Sequence, residues 1–121
     1  MNVYAFSRAR VATAFLAIFG ATLLNSQAAH AESYRIVVND HAFSPAHITA
    51  HLNQPVTITI VNKGTKTHNF ILPAFYIFTA NLPAKKTTNV GFSPDKKGSY
   101  PFFSDTGGSK EPGLSGEIEV K

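Results

Sequence analysis

The chain has 121 residues and no cysteine, which excludes disulfides, thiolate metal ligands and an acylated lipoprotein anchor. Eleven basic residues against seven acidic ones give a net charge of +4, but Arg8 and Arg10 fall in the leader described next, and the remainder carries only +2. Its lysines occur in separated pairs, Lys85-Lys86 and Lys96-Lys97, at turn-like sequences without a helix or aromatic platform, so they read as a solvated rim and not as a nucleic-acid surface.

Residues 1–31 have the makeup of a secretory signal peptide. Arg8 and Arg10 form a positive start, Val11 to Leu24 is an apolar run, and Ala29-His30-Ala31 places small residues where a signal peptidase reads them. The run is shorter than the roughly 20 apolar residues that span a bilayer, and Asn25, Ser26 and Gln27 end it. We therefore expect a leader helix, cleavage after Ala31, and a periplasmic or secreted product with no membrane span. Residues 32–121 then form one domain with a modest core.

From Glu32 onward the pattern is that of strands. Tyr34, Ile36 and Val38 alternate with less apolar neighbours, and Val56, Ile58 and Ile60 alternate with Thr57 and Thr59. A turn at Asn62-Lys63-Gly64 precedes a predicted strand over His68 to Leu72. Thr87 to Phe92 is β-branched, Pro94 to Gly98 is a turn, and Tyr100, Phe102 and Ser104 share one face of the next strand. Glu117 to Val120 alternates to the end, while Pro45, Pro55, Pro73 and Pro83 fall at strand starts or connections. The expected fold is an all-β Greek-key sandwich of about seven to eight strands in two antiparallel layers. The irregular stretch after Leu72, with Phe75, Tyr76 and Phe78, reads as packing that caps the core more readily than as an apolar docking patch.

Three segments in order resemble bacterial cupredoxin-like proteins. Phe43-Ser44-Pro45, Ile48 and Asn53-Gln54-Pro55-Val56 are similar to an F-x-P-x-x-I-x-V-x-x-G-x-x-V opening. Val61-Asn62 to His68-Asn69-Phe70 is similar to N-x-x-x-x-x-H-x-F, and Gly98 to Gly116 is similar to G-x-Y-x-F-x-C-x-x-x-x-H-x-x-x-x-M-x-G. Asp40-His41-Ala42-Phe43-Ser44-Pro45 also resembles the D-H-x-F-x-P opening of cupredoxin-like domains found with periplasmic iron-uptake systems. The resemblance implies a type 1 copper fold in which His68 keeps the first ligand position. Ser104, Ser109 and Leu114 stand where the family has cysteine, the second histidine and methionine. Blue copper needs that thiolate and thioether, so intact blue copper and electron transfer are not expected.

If the family geometry holds, Asp105 and Glu111 lie near the same loop as His68. One imidazole and two carboxylates make a harder set, suited to Cu(II), Zn(II) or iron. The candidate metal ligands are thus His68, Asp105 and Glu111, and the expected role is a metal-binding or accessory module of periplasmic copper or iron handling, with a metal ion or a periplasmic protein as partner. A metal-free interaction or structural subunit is the alternative, and a copper electron carrier a third. His47, Thr49 and His51 share a strand face, and the two imidazoles read as a surface pair; His41 lies in a loop. Ser104 lacks the G-x-S-x-G elbow of a nucleophile, and Gly107-Gly108 reads as a turn, so no enzyme is expected.

Overall fold

The computed structural model describes residues 30–121; the expected leader and its helix lie outside the described residues. Among the described residues nine strands form: β1 (Glu32–Val38), β2 (Phe43–Ser44), β3 (His47–Ala50), β4 (Val56–Asn62), β5 (Ile71–Leu72), β6 (Ile77–Phe78), β7 (Thr87–Phe92), β8 (Gly98–Phe103) and β9 (Ser115–Val120). They make a four-stranded sheet in the order β2-β1-β4-β7 and a five-stranded sheet in the order β3-β9-β8-β5-β6.

The layers are mixed and not purely antiparallel as the sequence suggested. β1 runs parallel to β4, and β3 runs parallel to β9. The cause is the path of the chain. After β2 it crosses to the second sheet to form β3, then returns to lay β4 beside β1 in the same direction, and a parallel pair requires such a crossover.

Period-two burial follows the alternation in the sequence. Ile36 and Val38 on β1, Val56, Ile58 and Ile60 on β4, Phe102 on β8, and Ile118 and Val120 on β9 all point between the sheets. Threonines at 57 and 59 face outward and supply β-branched stiffness without adding to the core. Phe43, Phe70 and Phe102 form an aromatic knot: Phe43 meets the other two edge-on at 6.0 and 5.2 Å, and Phe70 lies tilted on Phe102 at 5.0 Å. Each anchors a segment that carries a polar residue of the site: Asp40 three residues before Phe43, His68 two before Phe70, and Ser104 two after Phe102.

The segment predicted as a strand over His68 to Leu72 is extended but pairs only at its ends. His68 bridges Leu82, and Ile71 pairs with Phe78 and Phe103. Between them, hydroxyl groups replace the ladder: the Asn69 amide donates to Ser104 Oγ at 3.1 Å and the Phe70 amide to Thr79 Oγ1 at 2.9 Å. The aromatic stretch divides between its two readings. Phe75, ending a 3-10 turn (Pro73–Phe75), stacks on Phe92 at 4.4 Å and meets Tyr100 edge-on at 5.0 Å, capping the core. Tyr76 and Phe78 are 88% and 62% exposed.

Candidate metal centre

Three connections converge at one end of the sandwich: the turn between β1 and β2, the segment from Asn62 to Phe70, and the loop between β8 and β9. Asn62 shapes the second of these. Fully buried, it donates from Nδ2 to the carbonyls of Lys66 and Leu82, both at 2.9 Å, and accepts from the Gly64 amide at 2.9 Å. The loop after β8 closes on its own backbone. Ser104 N–H donates to the Leu114 carbonyl (3.1 Å), Glu111 N–H to that of Ser104 (2.9 Å) and Leu114 N–H to that of Glu111 (3.1 Å), which turns the Glu111 side chain back toward His68.

His68 is only 1% exposed and lies between two carboxylates. Nε2 is 3.0 Å from Asp40 Oδ1, and Nδ1 is 3.3 Å from Glu111 Oε2. Asp40 also accepts from Thr65 N–H and Lys66 N–H at 3.1 Å and from Thr65 Oγ1 at 2.6 Å. The Thr65 hydroxyl first, then His68 and the two amides, hold its carboxyl well below the usual carboxylate range. An ionised carboxylate only accepts, so Nε2 carries the proton in the Asp40 contact.

Glu111 is ionised for a similar reason. Burial alone would raise its carboxyl, but hydrogen bonds from Ser104, His68 and Thr106 outweigh burial and hold it below the ordinary value. Ser104 Oγ donates to Glu111 Oε2 in a close contact while accepting from the Asn69 amide. Glu111 Oε2 is an ionised oxygen that can only accept, so its 3.3 Å contact with Nδ1 calls for a positive species between the two atoms: a proton or a metal ion.

The site thus joins two of the three expected ligands. His68 and Glu111 come together; Asp105 does not join them. Its carboxylate accepts from Asn69 Nδ2 at 3.0 Å and its amide donates to Asn69 Oδ1 at 2.8 Å, a reciprocal pair that holds it beside Asn69. Ser109 is exposed, and Leu114 is buried in the core. Among the described residues no three His, Asp or Glu side chains converge as a metal cluster. Asp40 is the residue that sequence reasoning missed. Its only signal was its place at the head of the D-H-x-F-x-P motif, which carries no hint that the loop would meet a histidine 28 positions later.

The exposed histidines do not form a joint site. His47, 53% exposed, lies 3.3 Å from Glu117 and 3.8 Å from Glu119. His51, 58% exposed, has Nδ1 2.7 Å from Glu32, which also accepts from the His51 amide and from Tyr34. His41 lies in the turn closed by Asn39, whose Oδ1 accepts from the His41 and Ala42 amides.

The family model for the cupredoxin-like domain matches residues 11–114, most of the chain. The chain belongs to the cupredoxin-like family. Solved structures agree on the fold. The metal-binding domain of the Cu(I)-exporting P-type ATPase of Streptococcus pneumoniae superposes with a TM-score of 0.66 at 17% identity, covering 79% of this chain and 91% of that one. Auracyanin B gives 0.65 at 18% identity, over 79% and 93%. A copper-binding protein determined in its apo form gives 0.63 at 20% identity, again over 79% and 93%. No protein of curated function matches the sequence significantly.

The residues present do not fit the blue-copper centre that a cupredoxin implies. Ser104 offers a neutral hydroxyl already directed at Glu111, and Leu114 offers copper no lone pair. One imidazole nitrogen and one carboxylate oxygen side by side do fit a borderline divalent ion. Two ligand atoms about 2.0–2.1 Å from a tetrahedral ion stand about 3.3–3.4 Å apart, the separation found between Nδ1 and Oε2.

Proposed function

We propose that this protein is an exported, non-enzymatic cupredoxin-like module that binds Cu(II), Zn(II) or a similar divalent ion between His68 Nδ1 and Glu111, as an accessory of periplasmic copper or iron handling. The observation that carries the reading is the 3.3 Å approach of Nδ1 to Oε2 with Nε2 already engaged by Asp40. In this reading His68 and Glu111 are the ligands. Asp105 reaches the ion only by leaving Asn69, and the remaining positions are filled by water or by a donor from a partner. Ionised Glu111 supplies charge neutralisation, and the hydroxyls of Ser104 and Thr106 orient its carboxylate. Export is proposed from the leader sequence.

Isothermal titration of Cu(II) and of Zn(II) into the purified domain tests this. One saturable site is expected, lost in His68→Ala and weakened in Glu111→Gln. No saturable binding of Cu(II), Zn(II) or iron to the wild type removes the reading. The exposed Tyr76 and Phe78 favour a second one, a metal-free interaction subunit. Tyr76 also takes a left-handed backbone conformation (φ 56°), which is uncommon for a bulky residue. A partner whose affinity ignores Tyr76→Ala and Phe78→Ala counts against that second reading.

A further inference from the structure

We infer that the free edge of β7 is a self-recognition surface: a second copy of this chain docks its own β7 there, antiparallel about a two-fold axis at Asn89, and continues the four-stranded sheet across the pair. Four strands end the two sheets: β2, β3, β6 and β7. β2 and β6 are two residues long and β3 four, whereas β7 has six. Natural edges are blunted by brevity, lysine, proline or bulges. β7 reads Thr87-Thr88-Asn89-Val90-Gly91-Phe92, with no charge and no proline, and it pairs with β4 residue for residue from Val61–Thr87 to Val56–Phe92.

The direction of its backbone follows from the bond that precedes it. The Asn62 amide donates to the Lys86 carbonyl at 2.9 Å. By the alternation of an antiparallel ladder, Thr88, Val90 and Phe92 then bond to β4, and the amides and carbonyls of Thr87, Asn89 and Gly91 point away from it. Those three residues are exposed, and among the described residues their backbone groups have no other partner. This edge is complementary to itself. With the axis at Asn89, Thr87 of each copy meets Gly91 of the other and the two Asn89 residues meet each other. All three outward residues thus enter bonded pairs, each exchanging two bonds, and Thr88 lies opposite Val90 on the inner face, a β-branched pair. Charge agrees with this direction. Lys85 and Lys86 precede the strand, and Asp95 follows it ahead of Lys96 and Lys97 in the turn. Antiparallel docking brings the basic start of each copy to the end where the other has its acid; a parallel one stacks lysine on lysine. The contact is isologous and closes at two copies.

Neither His68 nor Glu111 takes part, so the inference does not rest on the metal-binding reading. Sedimentation equilibrium tests it on protein expressed from the full chain and kept metal-free with a chelator, so that no ion bridges the copies. Over about 10 μM to 1 mM, the range of small, weak interfaces, the wild-type mass should rise from monomer toward dimer. Asn89→Lys sets two ammonium groups face to face at the axis and should weaken association about tenfold or more. The chain has no cysteine, so a single one reports the register. With oxidised glutathione as the oxidant, Asn89→Cys should form a covalent dimer, its two Cα atoms about 5.5 Å apart. Thr87→Cys should not, because its twin lies about 14 Å away along the strands. A wild type that stays monomeric at about 1 mM overturns the inference. So does a dimer undiminished in Asn89→Lys that is folded by circular dichroism, or a Thr87→Cys that crosslinks as readily as Asn89→Cys. If Asn89→Lys does not fold, the two cysteine variants decide. A monomer that still binds Cu(II) would leave the proposed function standing, and a dimer without metal affinity would do the reverse.

Discussion

The two ends of the sandwich use the same pair of chemical groups to opposite effect. At one end His51 meets Glu32 at 2.7 Å, half exposed to water; at the other His68 meets Asp40 and Glu111 at 3.0 and 3.3 Å with almost no exposure. By distance alone the exposed pair is the tighter. Its worth is nevertheless small, because water screens the attraction and solvates either partner when the other leaves. The longer contacts around His68 matter more, since a buried polar group deprived of its partner has no water to turn to. Burial, and not hydrogen-bond length, separates a site from a surface contact here.

The largest test of that contrast removes the floor of the buried end. Phe102→Ala should lower unfolding stability by about 3–5 kcal/mol in urea titration, through lost contact and the cavity left behind. Such a loss takes much of what a domain this size possesses. A cost under about 1 kcal/mol would mean that the aromatic knot does not hold the three site segments. Next comes His68→Ala, expected to cost more than the loss of any exposed histidine, because the imidazole it removes is almost fully buried and leaves its space unfilled. His51→Ala should fall within about 0–1 kcal/mol and shrink further in high salt. Equal losses for the two histidines would erase the distinction.

Acid provides a third test, with its sign fixed by the carboxylates. Asp40 and Glu111 have folded-state values below their ordinary ones. The stability they contribute is complete above about pH 4, the unfolded carboxylate range, and drains away as pH falls through the folded values. Asp40→Asn and Glu111→Gln should be less stable than wild type at pH 6 and approach it near pH 2; parallel curves across that range would contradict the assignment. The smallest effect is expected at Glu32, also held below its ordinary value: burial would raise it, but the side chain and amide of His51 and the hydroxyl of Tyr34 outweigh burial. Glu32→Gln should flatten the same acid limb only slightly.

Much of the fold was written in short-range pattern. Alternation at Val56, Ile58 and Ile60 and at Glu117 to Val120 sets which side chains turn inward, and those strands formed where expected. What the pattern could not reveal was order across the sheets. Whether β4 lies parallel or antiparallel to β1 depends on which layer the chain visits in between, and no residue within either strand records that visit. The site was legible to the same degree. His68 and Glu111 could be placed together through the family's spacing, but Asp105 and Glu111 looked equivalent. Asn69, adjacent to the histidine, decides between them by pairing with Asp105 through both backbone and side chain. Asp40 was illegible for a further reason: its loop and the Thr65 turn become neighbours only once β1 and β4 pair, and the complete register Glu32–Val56 through Val38–Asn62 brings them to the same edge.

The loop after β8 secures its shape with bonds among Ser104, Glu111 and Leu114, near its two roots. Its tip at Gly107 stands clear of the rest of the domain: a side chain added there would meet nothing within 4 Å, and Lys110 lies 4.6 Å over the Phe103 ring. A recognition peptide or fluorescent tag spliced between Gly107 and Gly108 should therefore ride on the module without disturbing Glu111, giving a point of attachment close to the His68 pocket.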